Sequence, residues 1–373
     1  MNNNSEKPYF NRIAIIGIGL LGGSIARTAK KYGLAGGVTG CGRKKERLEY
    51  ALANGIADRV THDPLEAVSG ADLVVVCTPV GMIPEMLKSI AGGIEQRAIV
   101  TDVGSTKANI VRAGESLMPD GVSFVGCHPM AGSEESGVEA STDTLFENAL
   151  CVLTSSDKTN IMALEKLERF WKTLRARVMI MPPDEHDLLV AVSSHLPHMV
   201  AVSLVSCVAD ITSRHEKALP LLAGGFRDTT RIASGSADMW RDICLENRGY
   251  IGNVIERFGL SMNELAAAVR NGDAAALTGI FESARMFREE VPAKGRGILE
   301  PENEIFVDVA DRPGVIGEIT GALGLDSINI RNINVQHVRE LRGGTLSIIL
   351  EKAADIDRAI EILIERGFIV RER

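Results

Sequence analysis

Short apolar runs alternate with helical patterns over the first half of the chain. The helical patterns, such as those over residues 44–54 and 163–174, carry charged faces. The apolar runs predict strands at residues 13–16, 37–39, 73–76, 98–100, 122–125, 150–153 and 178–180. Such alternation is typical of βαβ units and of a largely parallel sheet with helices on both faces. Pro182 and Pro183 end the pattern, so we predict an α/β domain over residues 8–182.

The β signal disappears in the next part of the chain. Helical periodicity, with Asp273 as a predicted N-cap of the last segment, runs over residues 186–213, 241–258, 262–271 and 274–291. This pattern predicts an all-α domain over residues 183–295. The apolar stretch 188–208 is interrupted by a proline and two histidines, which favours a buried helix over a membrane span. We expect no membrane partner, and we expect a homodimer to cover the apolar helical surface.

The last part of the chain regains strand patterns. Residues 292–297 contain a proline and two glycines and predict a hinge. Beyond it, strands and helices follow in the order strand, helix, strand, strand, helix, strand, at residues 304–309, 314–323, 328–338, 345–350, 356–366 and 368–370. This βαββαβ order predicts a ferredoxin-like domain over residues 303–373.

Composition and charge narrow the class of protein. The net charge of −8 is diffuse and aromatic residues make up only 4%, which argues against a nucleic-acid partner. The six cysteines are scattered without metal-ligand spacing, so we predict no metal site and a reduced compartment. The first seven residues lack the apolar segment of a signal peptide. Together these features predict a cytoplasmic protein.

A glycine-rich loop directly follows the first predicted strand. Gly17, Gly19 and Gly22 have the GxGxxG spacing, and Leu20 and Leu21 lie between them at the start of a helix. Glycines at this spacing allow a tight turn, the approach of a pyrophosphate to the backbone, and close packing of helix on strand. The helix N-terminus offers unpaired N–H groups to the phosphates. We therefore predict dinucleotide binding in a Rossmann-type domain.

The identity of the nucleotide stays open at this level. Sheets that bind NAD usually carry an acidic residue after the second strand, whereas this chain has Arg43 followed by two lysines. These cations suit the 2′-phosphate of NADP, although Arg43 is also placed to stack on an adenine. Thr78 follows another strand and is a candidate for the nicotinamide side of the crevice.

Two polar residues at strand ends are candidates for catalysis. His128 follows the run 122–125, and we predict a loop for it at the carboxyl edge of the sheet, where an acid or base group would meet a ligand. Ser105 follows the strand predicted at 98–100. Its alternatives are a helix N-cap and a hydrogen bond to a substrate hydroxyl or to His128.

The helical part contributes cations. His195 and His198 share a helix face, and a buried pair without a ligand is the simpler interpretation. Residues 224–231 combine glycines, two arginines and short polar side chains, which predicts an anion pocket, because the arginine fork matches a carboxylate. An exposed cluster of Arg227 with Asp228 is the alternative.

Five motifs in order carry a resemblance to a known family. They are Gly17-x-Gly-x-x-Gly-Gly-Ser, Asp102-Val-Gly-Ser-Thr-Lys, Gly126-x-His-Pro-x-Ala-Gly-Ser-Glu, Ser194-His-Leu-Pro-His and Arg227-Asp-x-Thr-Arg. Together they resemble the prephenate/arogenate dehydrogenases of tyrosine biosynthesis, over roughly residues 8–295. Residues 307–317 resemble the start of an ACT domain, a small regulatory module that often binds an amino acid.

The resemblance implies a reaction: oxidative decarboxylation of prephenate to 4-hydroxyphenylpyruvate with reduction of NAD⁺ or NADP⁺, NAD⁺ being usual in the family. It implies that neutral His128 accepts a hydrogen bond from the substrate C4 hydroxyl and that Ser105 orients both groups. Substrate contacts are implied for four residues. Arg231 would hold a substrate carboxylate and His198 would meet the pyruvyl group. Glu134 would guard the mouth of the pocket, and Trp240 would form part of its wall. Trp240 is a candidate for contribution by a partner subunit.

The ACT resemblance implies an effector site between paired modules. Asp311, Gly314 and Asn329 would lie near it, and tyrosine, the end product of the pathway, is the expected effector. A tail that only stabilises the oligomer is the alternative.

Three other functions remain open. Arogenate in place of prephenate would give tyrosine directly. A β-hydroxyacid dehydrogenase would have a catalytic lysine on the first long helix of the second domain, and residues 188–210 contain none. A non-enzymatic sensor of nucleotides and amino acids would not need His128.

Overall fold

The apolar runs of the first part form one mixed sheet. The computed structural model describes residues 8–132, 135–291, 303–310, 312–337 and 343–372, and its chain divides into two compact units after Val291. Within the described residues the first unit has the strands β1 (Ile13–Ile16), β2 (Val38–Cys41), β3 (Arg59–Thr61), β4 (Leu73–Val76), β5 (Ile99–Asp102), β6 (Ser123–Pro129), β7 (Leu150–Thr154) and β8 (Arg177–Met181).

These strands lie in the order β3-β2-β1-β4-β5-β6-β7-β8. All pairings are parallel except that of β6 with β7. The residues of β1 and β4 are buried throughout, as expected for strands with helices on both faces. The connecting helices are α1 (Leu20–Lys31), α2 (Lys45–Ala53), α3 (Pro64–Val68), α4 (Ile83–Ile90), α5 (Ala108–Leu117) and α6 (Ile161–Thr173).

The first six strands have the Rossmann order, which confirms the predicted fold class. The strand order reverses between β1 and β4, and a crevice at the carboxyl ends of two such strands is where open α/β sheets bind ligands. The sheet therefore places the glycine loop after β1 and Thr78 after β4 at this crevice.

The structure corrects two sequence-based predictions in this sheet. His128 lies within β6 rather than in a loop, because β6 continues past its parallel part and pairs antiparallel with β7, His128 opposite Val152. Strand β3 was missed, since it has only three residues and Arg59 is exposed at the sheet edge. Its sequence, Arg-Val-Thr, is not an apolar run of the kind that predicts the other strands.

The helical part belongs to the first unit. It contains α7 (Pro183–Val190), a π-helical turn (Ala191–His195), α8 (Leu196–Thr212), α9 (Gly224–Thr230), α10 (Ala237–Glu246), α11 (Arg248–Asn271) and α12 (Ala274–Glu290). The Asp273 side chain accepts a hydrogen bond from the N–H of Ala276 at 3.0 Å, which confirms the predicted cap.

The continuous helix over Pro183–Thr212 is long and apolar enough to cross a membrane by length and composition alone. The prediction of a buried helix is not met within one chain, because only 28% of its most apolar stretch is buried. Exposed apolar side chains along the helix include Leu188, Leu189, Val192, Val202 and Val205. The helix therefore has a face that the single chain leaves uncovered.

The second unit is a small α/β module with its own core. In its described residues it contains β9 (Glu304–Ala310), α13 (Val315–Leu325), β10 (Ile330–His337), β11 (Gly343–Leu350), α14 (Ile356–Glu365) and β12 (Ile369–Glu372). The strands are antiparallel in the order β10-β11-β9-β12, the ferredoxin-like arrangement that the sequence predicts.

Candidate active site

The three glycines of the first loop have different structural reasons. A Cβ on Gly17, whose φ is +99°, would lie 2.7 Å from the carbonyl oxygen of Cys77. A Cβ on Gly22 would lie 2.6 Å from the carbonyl oxygen of Gly17, whereas a Cβ on Gly19 would meet no atom within 4 Å. Gly17 and Gly22 are thus required by packing. Gly19 leaves space in front of the N-terminus of α1, where half-buried Leu20 and Leu21 begin the helix.

The Thr78 side chain is evidence for a ligand in this space. Its hydroxyl oxygen is buried and has no hydrogen-bond partner among the described residues. The Thr78 backbone nitrogen would lie 3.1 Å from a Cβ on Gly17. Buried polar groups in proteins are normally hydrogen bonded. An orphaned hydroxyl beside an open glycine loop therefore fits a bound dinucleotide.

Charges of both signs lie near the end of β2. Arg43 is exposed and forms no hydrogen bond or ion pair within the described residues. Burial, reinforced by the charges of Asp63 and Glu66, raises the pKa of the Cys41 thiol to about 11. Asp63 also accepts a hydrogen bond from the N–H of Leu65 at 2.9 Å. Carboxylates thus reach this region from the start of α3, which follows the third strand, whereas the acidic residue of NAD sites is expected after the second strand.

His128 is held by a second histidine. Its Nδ1 lies 2.8 Å from Nε2 of His186, and Nδ1 of His186 lies 2.8 Å from Oδ1 of Asp187. Burial, with smaller contributions from the charges of His186, Lys107 and His195, holds the pKa of His128 well below its usual 6.5. His128 is therefore neutral near physiological pH, the state in which an imidazole accepts a proton.

A buried ion pair lies where the end of β5 meets β6, next to His128. Lys107 and Asp102 form an ion pair with each other, and both side chains are fully buried. Asp102 also accepts the N–H groups of Gly104 at 2.7 Å and Cys127 at 3.1 Å. The carboxylate thus joins the loop after β5 to β6, one residue before His128.

Ser105 lies half-buried in this loop. It is not the cap of α5, because the N-cap residue there is Lys107. Within the part of the chain that the structure describes, no hydrogen bond joins Ser105 to His128. A contact of Ser105 with a substrate hydroxyl stays a prediction.

His198 and Trp240 form a stacked pair, with ring centroids 3.5 Å apart and planes 10° from parallel. Trp240 belongs to α10, so the two rings stack within a single chain. The His195 ring lies nearly perpendicular to the Trp240 ring. The amide nitrogen of Asn247 lies 3.3 Å from Nδ1 of His195. Burial lowers the pKa of His198, and it lowers that of His195 to about 4. A neutral aromatic wall results.

The residues of the predicted anion pocket are helical. Residues 224–230 form α9, and a 3₁₀ turn at Arg231–Ser234 follows, packed against α8. Arg227 and Arg231 are both exposed. Arg231 lies on the segment next to the helix that carries His198. Glu134, the predicted guard, lies outside the described residues.

Sequence patterns missed His186, Asp187 and Asn247. The Asn247 amide donates to the carbonyl oxygen of Asp187 at 2.8 Å and so ties α11 to α7. Asp187 in turn accepts the N–H groups of Lys107 and Ala108. The available signal was a His-Asp pair in the first turns of an apolar helix. All three side chains are buried, although their residue types are usually exposed or only partly buried.

Family models match nearly the whole chain. A model described as "Prephenate dehydrogenase, nucleotide-binding domain" matches residues 25–180, one described as "Prephenate dehydrogenase, dimerization domain" matches residues 182–283, and an ACT domain model matches residues 303–368.

Individual proteins agree with these matches. The prephenate dehydrogenase of Bacillus subtilis is 38% identical over 360 residues, 95% of this chain and 96% of that protein. The cyclohexadienyl dehydrogenase of Zymomonas mobilis is 31% identical, covering 75% of this chain and 95% of that protein. A crystal structure of prephenate dehydrogenase from Aquifex aeolicus, in complex with hydroxyphenyl propionate and NAD⁺, aligns with a TM-score of 0.72 at 32% identity, covering 77% of this chain and all of that one.

Proposed function

The chain belongs to the prephenate dehydrogenase family, and we propose that it converts prephenate to 4-hydroxyphenylpyruvate and CO₂ with reduction of a nicotinamide dinucleotide. One observation carries the proposal. A half-buried, neutral histidine lies at the carboxyl edge of a Rossmann sheet, on the same edge as an open glycine loop. Because the ring becomes aromatic when CO₂ leaves, the protein mainly has to orient the substrate and accept one proton.

His128 would take the C4 hydroxyl proton of the substrate. Its Nδ1 is engaged by His186, so Nε2 is the nitrogen that remains for the hydroxyl. Ser105 would orient that hydroxyl. On the helical side, Arg231 would hold a substrate carboxylate, and His198, backed by Trp240, would meet the pyruvyl group.

We propose NAD⁺ as the cofactor, held by the loop at Gly17, Gly19 and Gly22 with Thr78 on the nicotinamide side. Bound NAD⁺ supplies the hydride acceptor. The carboxylates of Asp63 and Glu66 near the end of β2 support NAD⁺ over NADP⁺, since negative charge there opposes a 2′-phosphate. Arg43 would then stack on the adenine rather than bind phosphate.

Arogenate is a second candidate substrate. The similarity to a cyclohexadienyl dehydrogenase, whose name covers this ring class, favours testing it. Prephenate and arogenate differ only in a keto or amino group on the side chain. The discrimination would therefore lie with the residues that we place at that end, His198 and Trp240.

We also propose a cytoplasmic homodimer regulated by tyrosine. All six cysteines are free, as in reducing compartments. The uncovered apolar face of the helix over Pro183–Thr212 lies in the region matched by the dimerization model. In the second unit, Gly314 is the N-cap residue before α13 and has φ +87°, and the Asn329 amide donates to Glu351 at 2.8 Å. These two residues are our effector candidates, while Asp311 lies outside the described residues.

The test is a steady-state assay of the purified full chain. Prephenate and arogenate are each offered with NAD⁺ and with NADP⁺, and cofactor reduction is followed by absorbance. We expect the highest kcat/KM with prephenate and NAD⁺. Absence of reduction in all four combinations would refute the proposed function, and a preference for arogenate would assign the second candidate.

A further inference from the structure

A buried polar chain lies behind His128. His186 and Asp187 are 1% and 2% exposed. The carboxylate oxygens of Asp187 accept the backbone N–H groups of Lys107 at 2.7 Å and Ala108 at 2.8 Å, at the first turn of α5. The chain continues from Oδ1 of Asp187 to Nδ1 of His186 and from its Nε2 to Nδ1 of His128.

The direction of each hydrogen bond follows from this geometry. Both oxygens of Asp187 already accept N–H groups, and a carboxylate has only acceptors to offer. Nδ1 of His186 must therefore carry the proton of that bond. In a neutral imidazole the other nitrogen then has a lone pair, so Nε2 of His186 accepts and Nδ1 of His128 donates. The lone pair of His128 is left on Nε2.

We propose that His186 and Asp187 are positioning residues that fix the tautomer of His128, so that its unprotonated Nε2 meets the substrate hydroxyl. This inference rests on the proposed role of His128 as the proton acceptor. The backbone donors of α5 hold Asp187, Asp187 sets the tautomer of His186, and His186 sets that of His128. Without this chain the His128 proton is free to occupy Nε2, and the ring then has no lone pair to offer the hydroxyl.

The same chain stabilises His128 after it takes the proton. The imidazolium keeps its Nδ1–H bond to His186, whose own Nδ1–H faces the negative charge of Asp187. Two further groups face His128. One is the Lys107 ammonium, which is paired with Asp102, and the other is the ring of His195. Asp187 is thus the carboxylate aligned with the charge that develops on His128.

The tautomer is measured directly. Full-length protein labelled with ¹⁵N-histidine is compared with its His128→Asn variant to assign the His128 nitrogens. We expect Nδ1 of His128 to carry the proton in the parent protein and the proton to redistribute towards Nε2 in His186→Ala. A parent His128 protonated on Nε2 would overturn the proposal, whether or not the protein turns over prephenate.

Kinetics separate positioning from mere packing. His186→Ala should lower kcat about a hundredfold, the cost of a misplaced reacting group, with KM for the cofactor unchanged. His186→Gln should recover most of this loss, because its amide oxygen can accept from Nδ1 of His128. His215→Gln, at an exposed histidine, is the matched control and should match the parent. If His186→Gln is as slow as His186→Ala, or if His186→Ala keeps the parent kcat, the positioning role is wrong.

Discussion

Replacing Lys107 by methionine should destabilise the first unit far more than an equivalent change at the surface. Methionine has nearly the length of lysine, so the change removes the charge and keeps most of the packing. It leaves the fully buried Asp102 without its cation. Removing one partner of a buried pair leaves an uncompensated charge, and such changes cost about 3–5 kcal/mol.

The surroundings of Asp102 place the expected cost at the lower end. Its carboxylate still accepts the N–H groups of Gly104 and Cys127, which retain part of the stabilisation. We therefore expect a loss of about 3 kcal/mol in the free energy of unfolding. The matched control is Lys172→Met, which breaks a 2.6 Å pair with Glu168 on the exposed side of α6 and should cost less than about 1 kcal/mol.

Urea unfolding followed by tryptophan fluorescence measures this difference. Both tryptophans, Trp171 and Trp240, lie in the first unit, so the signal reports that unit alone. Variants are compared at one protein concentration, because a dimer makes stability concentration-dependent. Removing both charges, with Asp102→Asn added to Lys107→Met, should recover part of the loss. Equal midpoints for Lys107→Met and Lys172→Met would refute the reasoning.

Four further outcomes are expected. Gly19→Ala should leave the urea midpoint unchanged but weaken NAD⁺ binding about tenfold or more in a titration, because its methyl group meets only the ligand and displaces at least one charged hydrogen bond; parent affinity would contradict this. His128→Asn should lower kcat by about 10²–10⁴, as for a lost general base, and an unchanged kcat would remove His128 from the mechanism. Because its pKa is lowered, His128 stays unprotonated in mild acid, so the acid limb of the pH profile of kcat/KM should lie below pH 6.5. An acid limb above that value would count against His128 as the base. A chain ending at Val291 should keep its activity and lose inhibition by tyrosine, whereas full inhibition would place the effector site in the first unit.

Local patterns were sufficient for the elements that local chemistry determines. The β1 run ends where predicted, the glycine loop has the spacing that its packing demands, and Asp273 caps α12. Each of these depends on residues close together in the chain. The fold class followed from the order of such elements.

Features that depend on distant residues were missed. β6 extends to Pro129 because β7, about twenty residues further along, pairs with it. The contact between His128 and His186 joins residues 58 positions apart, and neither flanking pattern indicates it. The acidic groups near the end of β2 come from the start of α3. Sequence motifs therefore identified His128, the proposed proton acceptor, but not the residues that hold it.

The π-helical turn at Ala191–His195 sets the rotation about the helix axis between His186 and His198, two residues of the candidate site. His186 lies before this turn and His198 after it, on one continuous helix. Since an α-helix turns by roughly 100° per residue, losing one residue here would rotate one histidine away from its neighbour, His128 or Trp240. The segment acts as a spacer between His186, which holds the proposed proton acceptor, and His198, which we propose meets the substrate side chain, so we expect its residue count to matter more than its residue identities.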